Sequence, residues 1–397
     1  MLFRRFYDDA LAQASYLIGC QRTGEAIVVD PNRDVEQYIA AAAAENARIT
    51  AVTETHIHAD FVSGSRQLAR QTSAQLLLSD EAPEEWAYRF ADSDGARLLR
   101  DGDSIEIGDV RLDVLHTPGH TPEHLSFLVT DTSVASEPMG LLSGDFLFVG
   151  DVGRPDLLER AAGEAGTSAA MARVLFESMQ RVRELPEWLQ VWPGHGAGSA
   201  CGKSLGAVPQ STVGYERRFN WAFQIDDAAE FVSAALDGQT DPPRYFARMK
   251  RINRDGPAIL DPSKRVPVLD TKAFAAARAA GAVVVDTRST AAFAEGHLKG
   301  AIAIPAGGSV LKWSGSLLDG EQRIALIAAD AVSAERTTRQ LAMIGFDQVV
   351  GFAAADTARE LASRDGEDRV ERVSSTELAR RMAEDEVYVV DVRAPHE

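Results

Sequence analysis

Thr53-Glu54-Thr55-His56-Ile57-His58-Ala59-Asp60-Phe61 follows directly on an apolar run, Ile49-Thr50-Ala51-Val52. A strand that stops there delivers two imidazoles and a carboxylate on alternate positions, His56, His58 and Asp60. That donor set suits Zn, Fe or Mn better than the thiolate-seeking metals. One histidine at a strand end is commonly no more than a solvated polar tip. His-x-His-x-Asp directly after a buried strand is a ligand pattern.

Upstream, Ser15–Cys20 and Glu25–Asp30 read as short strands about a Gly24 turn, and Val35–Asn46 as an Ala-rich helix. Downstream, Asp60–Gln75 is expected to be helical, so the motif falls in a strand-to-helix turn. Leu76–Ser79 is a further strand, and Ser104–Ile107 with Val110–Leu115 form a hairpin turned at Gly108-Asp109. The hairpin runs into His116-Thr117-Pro118-Gly119-His120-Thr121-Pro122-Glu123-His124, where Pro and Gly fix a tight loop with His120 at its tip. His116 and His124, before the turn and at the start of the strand Leu125–Val129, read as hydrogen-bonded structural histidines. The apolar Gly140-Leu141-Leu142-Ser143-Gly144 ends on Asp145. After a helix over Ser168–Leu185, Leu189–Trp192 leads into Pro193-Gly194-His195-Gly196. Four separate strand ends thus each present a polar group: His56/His58/Asp60, His120, Asp145 and His195.

The totals bound the classes available. A chain of 397 residues exceeds one ordinary core, so two or three domains are expected. Hydrophobic residues make up 45% and charged residues 25%, a soluble globular composition. A formal net charge of −18 argues against nucleic acid and against an anionic membrane surface. Cys20 and Cys201 are the only cysteines, so no disulfide framework is expected and a reducing compartment fits. Asp8 and Asp9 interrupt the N-terminal stretch where a signal peptide needs an apolar run. With no run of about 18 apolar residues either, the expected location is the cytoplasm.

The order of the four strand ends closely resembles the metallo-β-lactamase superfamily, over essentially all of residues 1–235. The resemblance implies an αββα sandwich with ligands gathered along one edge. In the thioester-hydrolase (glyoxalase II) branch the motif continues His-x-His-x-Asp-His, and the last His helps to hold a second metal; here that position is Phe61, which cannot ligate. The remaining set resembles the persulfide dioxygenases. That resemblance implies that His56, His120 and Asp145 bind one Fe(II), with three positions left open, and that His58, Asp60 and His195 serve catalysis by orienting ligands and waters. It implies low-molecular-weight thiol persulfide (glutathione, coenzyme A or similar) and O2 as substrates, sulfite and thiol as products, and a dimer or tetramer. Spacing alone also allows a single Zn, and a metal-dependent thioester hydrolase is the alternative activity. A sulfur-relay or docking module with a structural metal is a third reading.

Gly150-Asp151-Val152-Gly153-Arg154-Pro155-Asp156 resembles the Gly-Arg-x-Asp loop that lines the substrate mouth in persulfide dioxygenases. Arg154 is placed to meet a carboxylate or phosphate of the thiol carrier, with Asp156 beside it; a surface Arg–Asp pair is the plainer reading. Cys201, in Gly198-Ser199-Ala200-Cys201-Gly202-Lys203, is either a substrate-contacting thiol that Lys203 favours as thiolate or a small buried thiol. Cys20, in an apolar strand, reads as core.

Residues 1–240 are therefore expected to form the dioxygenase domain. Residues 241–264, rich in Pro, Gly and charge, are expected to be a linker lying across it. Over 265–365 the order Val283-Val284-Val285-Asp286, Gly296-His297-Leu298-Lys299-Gly300 and Ile324–Ile327 resembles an α/β rhodanese (sulfurtransferase) domain. Rhodanese chemistry needs a nucleophilic Cys in the loop after that last strand. The loop reads Ala328-Ala329-Asp330-Ala331-Val332-Ser333-Ala334, and residues 202–397 contain no Cys. The domain is expected to be catalytically silent, with Asp286 and His297 structural. Residues 370–397 repeat its opening, Thr376 to Asp391 matching Thr271 to Asp286, and read as a truncated second rhodanese domain, poorly packed here. In bacterial fusions of this pattern, the resemblance implies, a last rhodanese domain makes thiosulfate during sulfide detoxification.

Overall fold

The computed structural model describes residues 1–162, 166–384 and 386–390. They form two compact units, one built from 1–265, 307–322 and 336–348, the other from 266–306, 323–335 and the chain from 349 onward. Among the described residues no helix is long and apolar enough to cross a membrane.

In the first unit the order is β1 (Leu2–Asp8), β2 (Gln13–Cys20), β3 (Glu25–Val29), α1 (Glu36–Ala44), β4 (Arg48–Thr53), α2 (Ser65–Thr72), β5 (Gln75–Ser79) and β6 (Arg97–Leu99). There follow β7 (Ser104–Ile107), β8 (Val110–His116), β9 (Leu125–Asp131), β10 (Gly140–Gly144), α3 (Leu157–Ala162), α4 (Ser168–Arg183) and β11 (Gln190–Pro193). Then come β12 (Ser211–Thr212), α5 (Val213–Phe219), α6 (Ala228–Leu236) and α7 (Phe246–Asp255). Two six-stranded sheets result, ordered β1-β2-β3-β4-β5-β6 and β12-β11-β10-β9-β8-β7. The period-2 alternation of each strand splits its side chains between two faces. Tyr16, Ile18, Ile27, Val29, Ala51 and Leu77 of the first sheet meet Ile105, Leu112, Val114, Phe127, Val129 and Leu142 of the second. The opposite faces bury Leu17, Val28 and Val52 against Tyr38 of α1 and Leu68 of α2, and Val191 against Leu175 and Met179 of α4 and Phe231 of α6. This is the expected αββα sandwich.

Two elements differ from expectation. The helix expected from Asp60 begins only at Ser65. Residues 54–64 are instead a wholly buried loop, whose Gly64 packs so closely on Asn32 O that a Cβ there would lie 2.1 Å away. The segment read as a linker contains α7, which buries Phe246, Met249, Lys250 and Asn253 within the first unit. Segments 307–322 and 336–348, assigned from sequence to the rhodanese region, also fold with the first unit. There Arg33 donates to both carboxylate oxygens of Asp347, and Val62 N–H donates to Met343 O.

The second unit contains α8 (Thr271–Ala279), β13 (Val283–Asp286), α9 (Thr290–Glu295), β14 (His297–Leu298) and β15 (Ile302–Ala303). After α10 (Val310–Leu317), in the first unit's 307–322 segment, come β16 (Ile324–Ala328), α11 (Ala331–Met343), whose residues from 336 on belong to the first unit's 336–348 segment, β17 (Val349–Ala354) and α12 (Ala355–Asp365). A parallel sheet, β15-β13-β16-β17, is the centre of this α/β layer. Asp286 pairs with Arg288, and His297 donates through Nδ1 to Phe293 O while stacking on that ring. Asp330 Oδ1 accepts from Ser333 N–H at the start of α11. The last helix, α13 (Ser375–Ala383), buries none of its residues. The Asp391–Glu397 part of the expected repeat lies outside the described residues.

Candidate metal centre

Four strand ends converge as the sequence spacing implies. The loop after β4 carries His56, His58 and Asp60, the loop after β8 carries His120, Asp145 directly follows β10, and His195 follows β11 after Gly194; all six are buried. Two glycines let them approach. Gly144 has φ 51°, and a Cβ there would lie 2.6 Å from His124 Nε2. A Cβ on Gly194 would lie 2.6 Å from Asp145 Oδ1.

Asp145 Oδ2 is the hub, 3.8 Å from His56 Nε2, 3.6 Å from His120 Nε2 and 3.5 Å from His195 Nε2. His56, His120 and Asp145 each offer a ligand atom within 4.8 Å of the other two; Asp60, His195 and Cys201 form a second such group. His56 Nε2, His195 Nε2 and both oxygens of Asp60 and of Asp145 are buried and have no hydrogen-bond partner. Each orphaned atom costs about 1–3 kcal/mol. Several aimed at one another are accounted for by a cation among them.

The outer contacts turn the lone pairs inward. His120 Nδ1 donates to Arg154 O and His195 Nδ1 to Ala12 O, each at 3.0 Å. Thr55 Oγ1 gives its proton to Asp30 Oδ2 at 2.9 Å, so it accepts from His56 Nδ1 at 2.9 Å. Each Nε2 is thereby left unprotonated. Burial, with nearby cationic groups adding, holds His56 well below its ordinary value and His120 at about 3. Both are therefore neutral imidazoles, the form that can ligate a metal. Burial lifts Asp145 to about 6, with Asp60 adding and His195 opposing.

His58 belongs to neither donor group. Its Nε2 donates to Asp30 Oδ1 at 3.1 Å. Burial alone would depress this imidazole, but Asp30, Glu54 and Asp60 outweigh it and lift it to about 9. Phe61 is fully buried with its ring 4.4 Å from that of His58. His116 and His124 are hydrogen-bonded, His116 to Pro122 O. His124 accepts from Asp145 N–H through Nε2 and meets Thr117 Oγ1 through Nδ1.

Arg154 is neither a surface residue nor an open anion site. It is 1% exposed. Its Nε and Nη2 donate to Asp156 at 2.7 and 2.8 Å, Nη1 to Ala200 O and Nη2 also to Thr240 O. Four of its five N–H donors are thus engaged, which leaves little for a substrate carboxylate. Cys201 is buried, and burial with Asp60 and Asp145 pushes its thiol well up. Lys203 does not promote a thiolate, because its Nζ donates to Ala234 O and lies over the Trp221 ring.

Sequence reasoning missed Asp30, which organises His56 and His58, and Asn253 of α7. Asn253 Nδ2 donates to His58 O and Phe61 O at 2.8 and 2.7 Å, and its Oδ1 accepts from Ser63 N–H at 2.9 Å. The available signal was the stripe 246, 249, 250, 253 at helical spacing.

The Metallo-beta-lactamase superfamily model matches residues 8–195, and the Rhodanese-like domain model matches residues 270–353. A crystal structure of a metallo-beta-lactamase from Staphylococcus aureus subsp. aureus COL is 42% identical, with a TM-score of 0.79, and the match covers 89% of this chain and 99% of that one. The hydroxyacylglutathione hydrolase of Nitrosococcus oceani is 32% identical over 188 residues, 47% of this chain and 63% of that protein, so the match takes in less than two thirds of the hydrolase. The mitochondrial persulfide dioxygenase ETHE1 of Bos taurus is 27% identical over 225 residues, 55% of this chain and 75% of that protein. With the αββα sandwich and the convergent donors in place, these likenesses show that the chain belongs to the metallo-β-lactamase superfamily and carries a rhodanese-like domain after the sandwich.

Proposed function

We propose that the first unit is a mononuclear non-haem Fe(II) dioxygenase of the cytoplasm that oxidises a low-molecular-weight thiol persulfide: RSSH + O2 + H2O gives RSH, sulfite and two protons. The observation that carries this reading is the His56/His120/Asp145 group, two neutral imidazoles and a carboxylate within 4.8 Å of one another, the donor set of a facial triad. When bound there, Fe(II) supplies open positions at which O2 and the terminal sulfur of the persulfide meet. The protein holds the two Nε2 lone pairs inward through Arg154 O and Thr55 Oγ1. His58, paired with Asp30, sets the loop rather than ligating. His195 and Asp60, 3.3 Å apart, flank the open side and are placed to orient water and hold a proton. Phe61 keeps an apolar ring where a further ligand would stand, and the persulfide dioxygenase of Bos taurus is a relative over 225 residues.

A two-metal thioester hydrolase is the competing reading, favoured by the second donor group beside the first and by the hydroxyacylglutathione hydrolase relative. O2 uptake by Fe(II)-loaded protein given glutathione persulfide or coenzyme A persulfide, with sulfite assayed in parallel, separates the two. Uptake matched by sulfite, and lost in His120→Ala or on chelation, supports the dioxygenase. No uptake, with two zinc ions per chain and thioester cleavage, overturns it.

A further inference from the structure

Residues 336–348 lie inside the stretch that matches the rhodanese-like model, 270–353, yet they fold with the first unit. We infer that this segment is a working part of the metal centre: the turn that ends α11 positions the loop carrying His56, His58 and Asp60, a task for the rhodanese-like region that needs no cysteine. The inference does not depend on which reaction the centre performs.

A helix leaves its last four carbonyls without partners inside the helix. At the end of α11, Gly345 takes a left-handed φ of 75°. Gly345 N–H donates to Ala342 O and Phe346 N–H to Leu341 O, each at 3.0 Å. This glycine-closed turn satisfies those two carbonyls and leaves Met343 O and Ile344 O to other partners. Both find them in the first unit. Met343 O accepts from Val62 N–H at 2.7 Å. Ile344 O accepts from Arg248 Nη2 of α7 at 2.6 Å, and Gly345 O from Nη1 at 3.0 Å. A second cation sits at the same helix end, where the backbone dipole favours positive charge. The Arg33 side chain, 2% exposed, donates through Nη1 to Ala342 O at 3.0 Å and grips Asp347 through Nη1 and Nη2 at 2.6 and 2.9 Å.

These contacts converge on the loop that carries the donors. Phe61 C=O and Val62 N–H belong to one planar peptide unit. Asn253 Nδ2 holds its carbonyl at 2.7 Å and Met343 O holds its N–H at 2.7 Å. The chain is thus fixed from two sides immediately after Asp60. Val62 is fully buried, so water does not replace Met343 O there. The neighbouring loop is pinned by the same helix end. Arg33 stands three residues after Asp30, which accepts from Thr55 N–H and His58 Nε2, and Asn32 bridges to Ser63. Met343, Arg33 and Asp347 are therefore positioning residues: they touch no donor and act through the two loops.

The test uses the full chain. Fe(II) affinity is read by chelator competition, metal-free stability by urea unfolding, and ligand geometry by the visible spectrum of Co2+-loaded protein. Arg33→Met should weaken Fe(II) about 10–100-fold, as loss of an outer-shell partner does, and change the Co2+ bands. Arg33→Lys, which keeps the charge and can reach one acceptor, should recover part of both. Asp286→Asn breaks the pair with Arg288 in the second unit. It is the control for stability lost elsewhere in the rhodanese-like region and should leave affinity and spectrum at parental values. If Arg33→Met does not fold, amide exchange on the unsubstituted metal-free protein decides: Val62 N–H should exchange no faster than Gly345 and Phe346. Parental affinity and spectrum in Arg33→Met, an equal loss in Asp286→Asn, or free exchange at Val62 would overturn the inference. Persulfide oxidation by the parent with unchanged metal affinity in Arg33→Met refutes the positioning role and leaves the dioxygenase standing; weakened metal in Arg33→Met with no oxidation by the parent does the reverse.

Discussion

Arg154 and Asp156 form a two-pronged ion pair sealed from water, with Nε 2.7 Å from Oδ1 and Nη2 2.8 Å from Oδ2 and the side chains 1% and 3% exposed. The main chain of the same arginine accepts from His120 Nδ1 and donates to Cys201 O. One residue thus ties a donor of the first group to a donor of the second. The pair holds this residue in place, so its job is to fix the loop on which both donors depend.

Breaking a buried pair by removing one partner costs about 3–5 kcal/mol. Arg154→Ala should therefore lower stability by about that amount, as read from urea unfolding of the metal-free protein. Arg154→Lys should recover little, because a single ammonium cannot reach both Asp156 oxygens and the carbonyls of Ala200 and Thr240. A lysine variant as stable as the parent, with only a raised KM for persulfide, would instead place Arg154 in substrate binding.

The strand ends were legible because each apolar run stops on a polar residue, and Gly144 and Gly194 mark where two of those ends come close. The supports were less legible. Strand β1 buries only Leu2 fully and carries Arg4 and Arg5, so it has no clear alternation. The apolar stripe of α7 is interrupted by Lys250 and Asn253, two polar residues that are buried because of what they contact. Asp30 reads as a residue before a proline at the end of a strand; its grip on Thr55 and His58 is a long-range fact that spacing does not encode. The late start of α2 has the same origin, since Asn253 holds the carbonyls of His58 and Phe61 in a loop that local propensity would have made helical.

Asn253 satisfies three buried main-chain groups of the motif loop. Asn253→Ala orphans them, at about 1–3 kcal/mol each before relaxation, and frees the loop that carries His56. Fe(II) affinity, measured by chelator competition, should fall by about tenfold or more. Asn253→Asp, which keeps the acceptor for Ser63 N–H and loses both donors, should fall between the two. Unchanged affinity in both variants would show that α7 has no part in setting the site.

Asp30 takes three hydrogen bonds, from Thr55 N–H, Thr55 Oγ1 and His58 Nε2, at a left-handed φ of 52°. Asparagine tolerates that backbone conformation, so Asp30→Asn should fold. It should nevertheless weaken Fe(II) binding about 10–100-fold, because the acceptor that orients Thr55 and through it His56 Nδ1 is lost. The check is metal affinity together with a thermal melt of the metal-free protein: lost affinity with an unchanged melt assigns Asp30 to orientation, whereas a lowered melt alone assigns it to the scaffold.

Gly194 offers the most selective probe of the centre. Its φ is not in the left-handed region, so alanine meets no backbone penalty. Its added Cβ would, however, lie 2.6 Å from Asp145 Oδ1 and 3.3 Å from Gly144 O, well inside contact distance. The carboxylate is the softer of the two obstacles and has no hydrogen bond to hold it. Gly194→Ala should therefore rotate Asp145 away from the lone pairs of His56 and His120 while the sheets stay paired. Expected are a near-parental circular dichroism spectrum, Fe(II) affinity reduced by more than about tenfold, and O2 uptake with glutathione persulfide reduced in step at sub-saturating iron. Gly196→Ala, whose Cβ would meet first the hydroxyl end of the Tyr7 side chain, is the matched control and should retain both. Full iron binding in Gly194→Ala would mean that Asp145 is not the carboxylate of the metal centre.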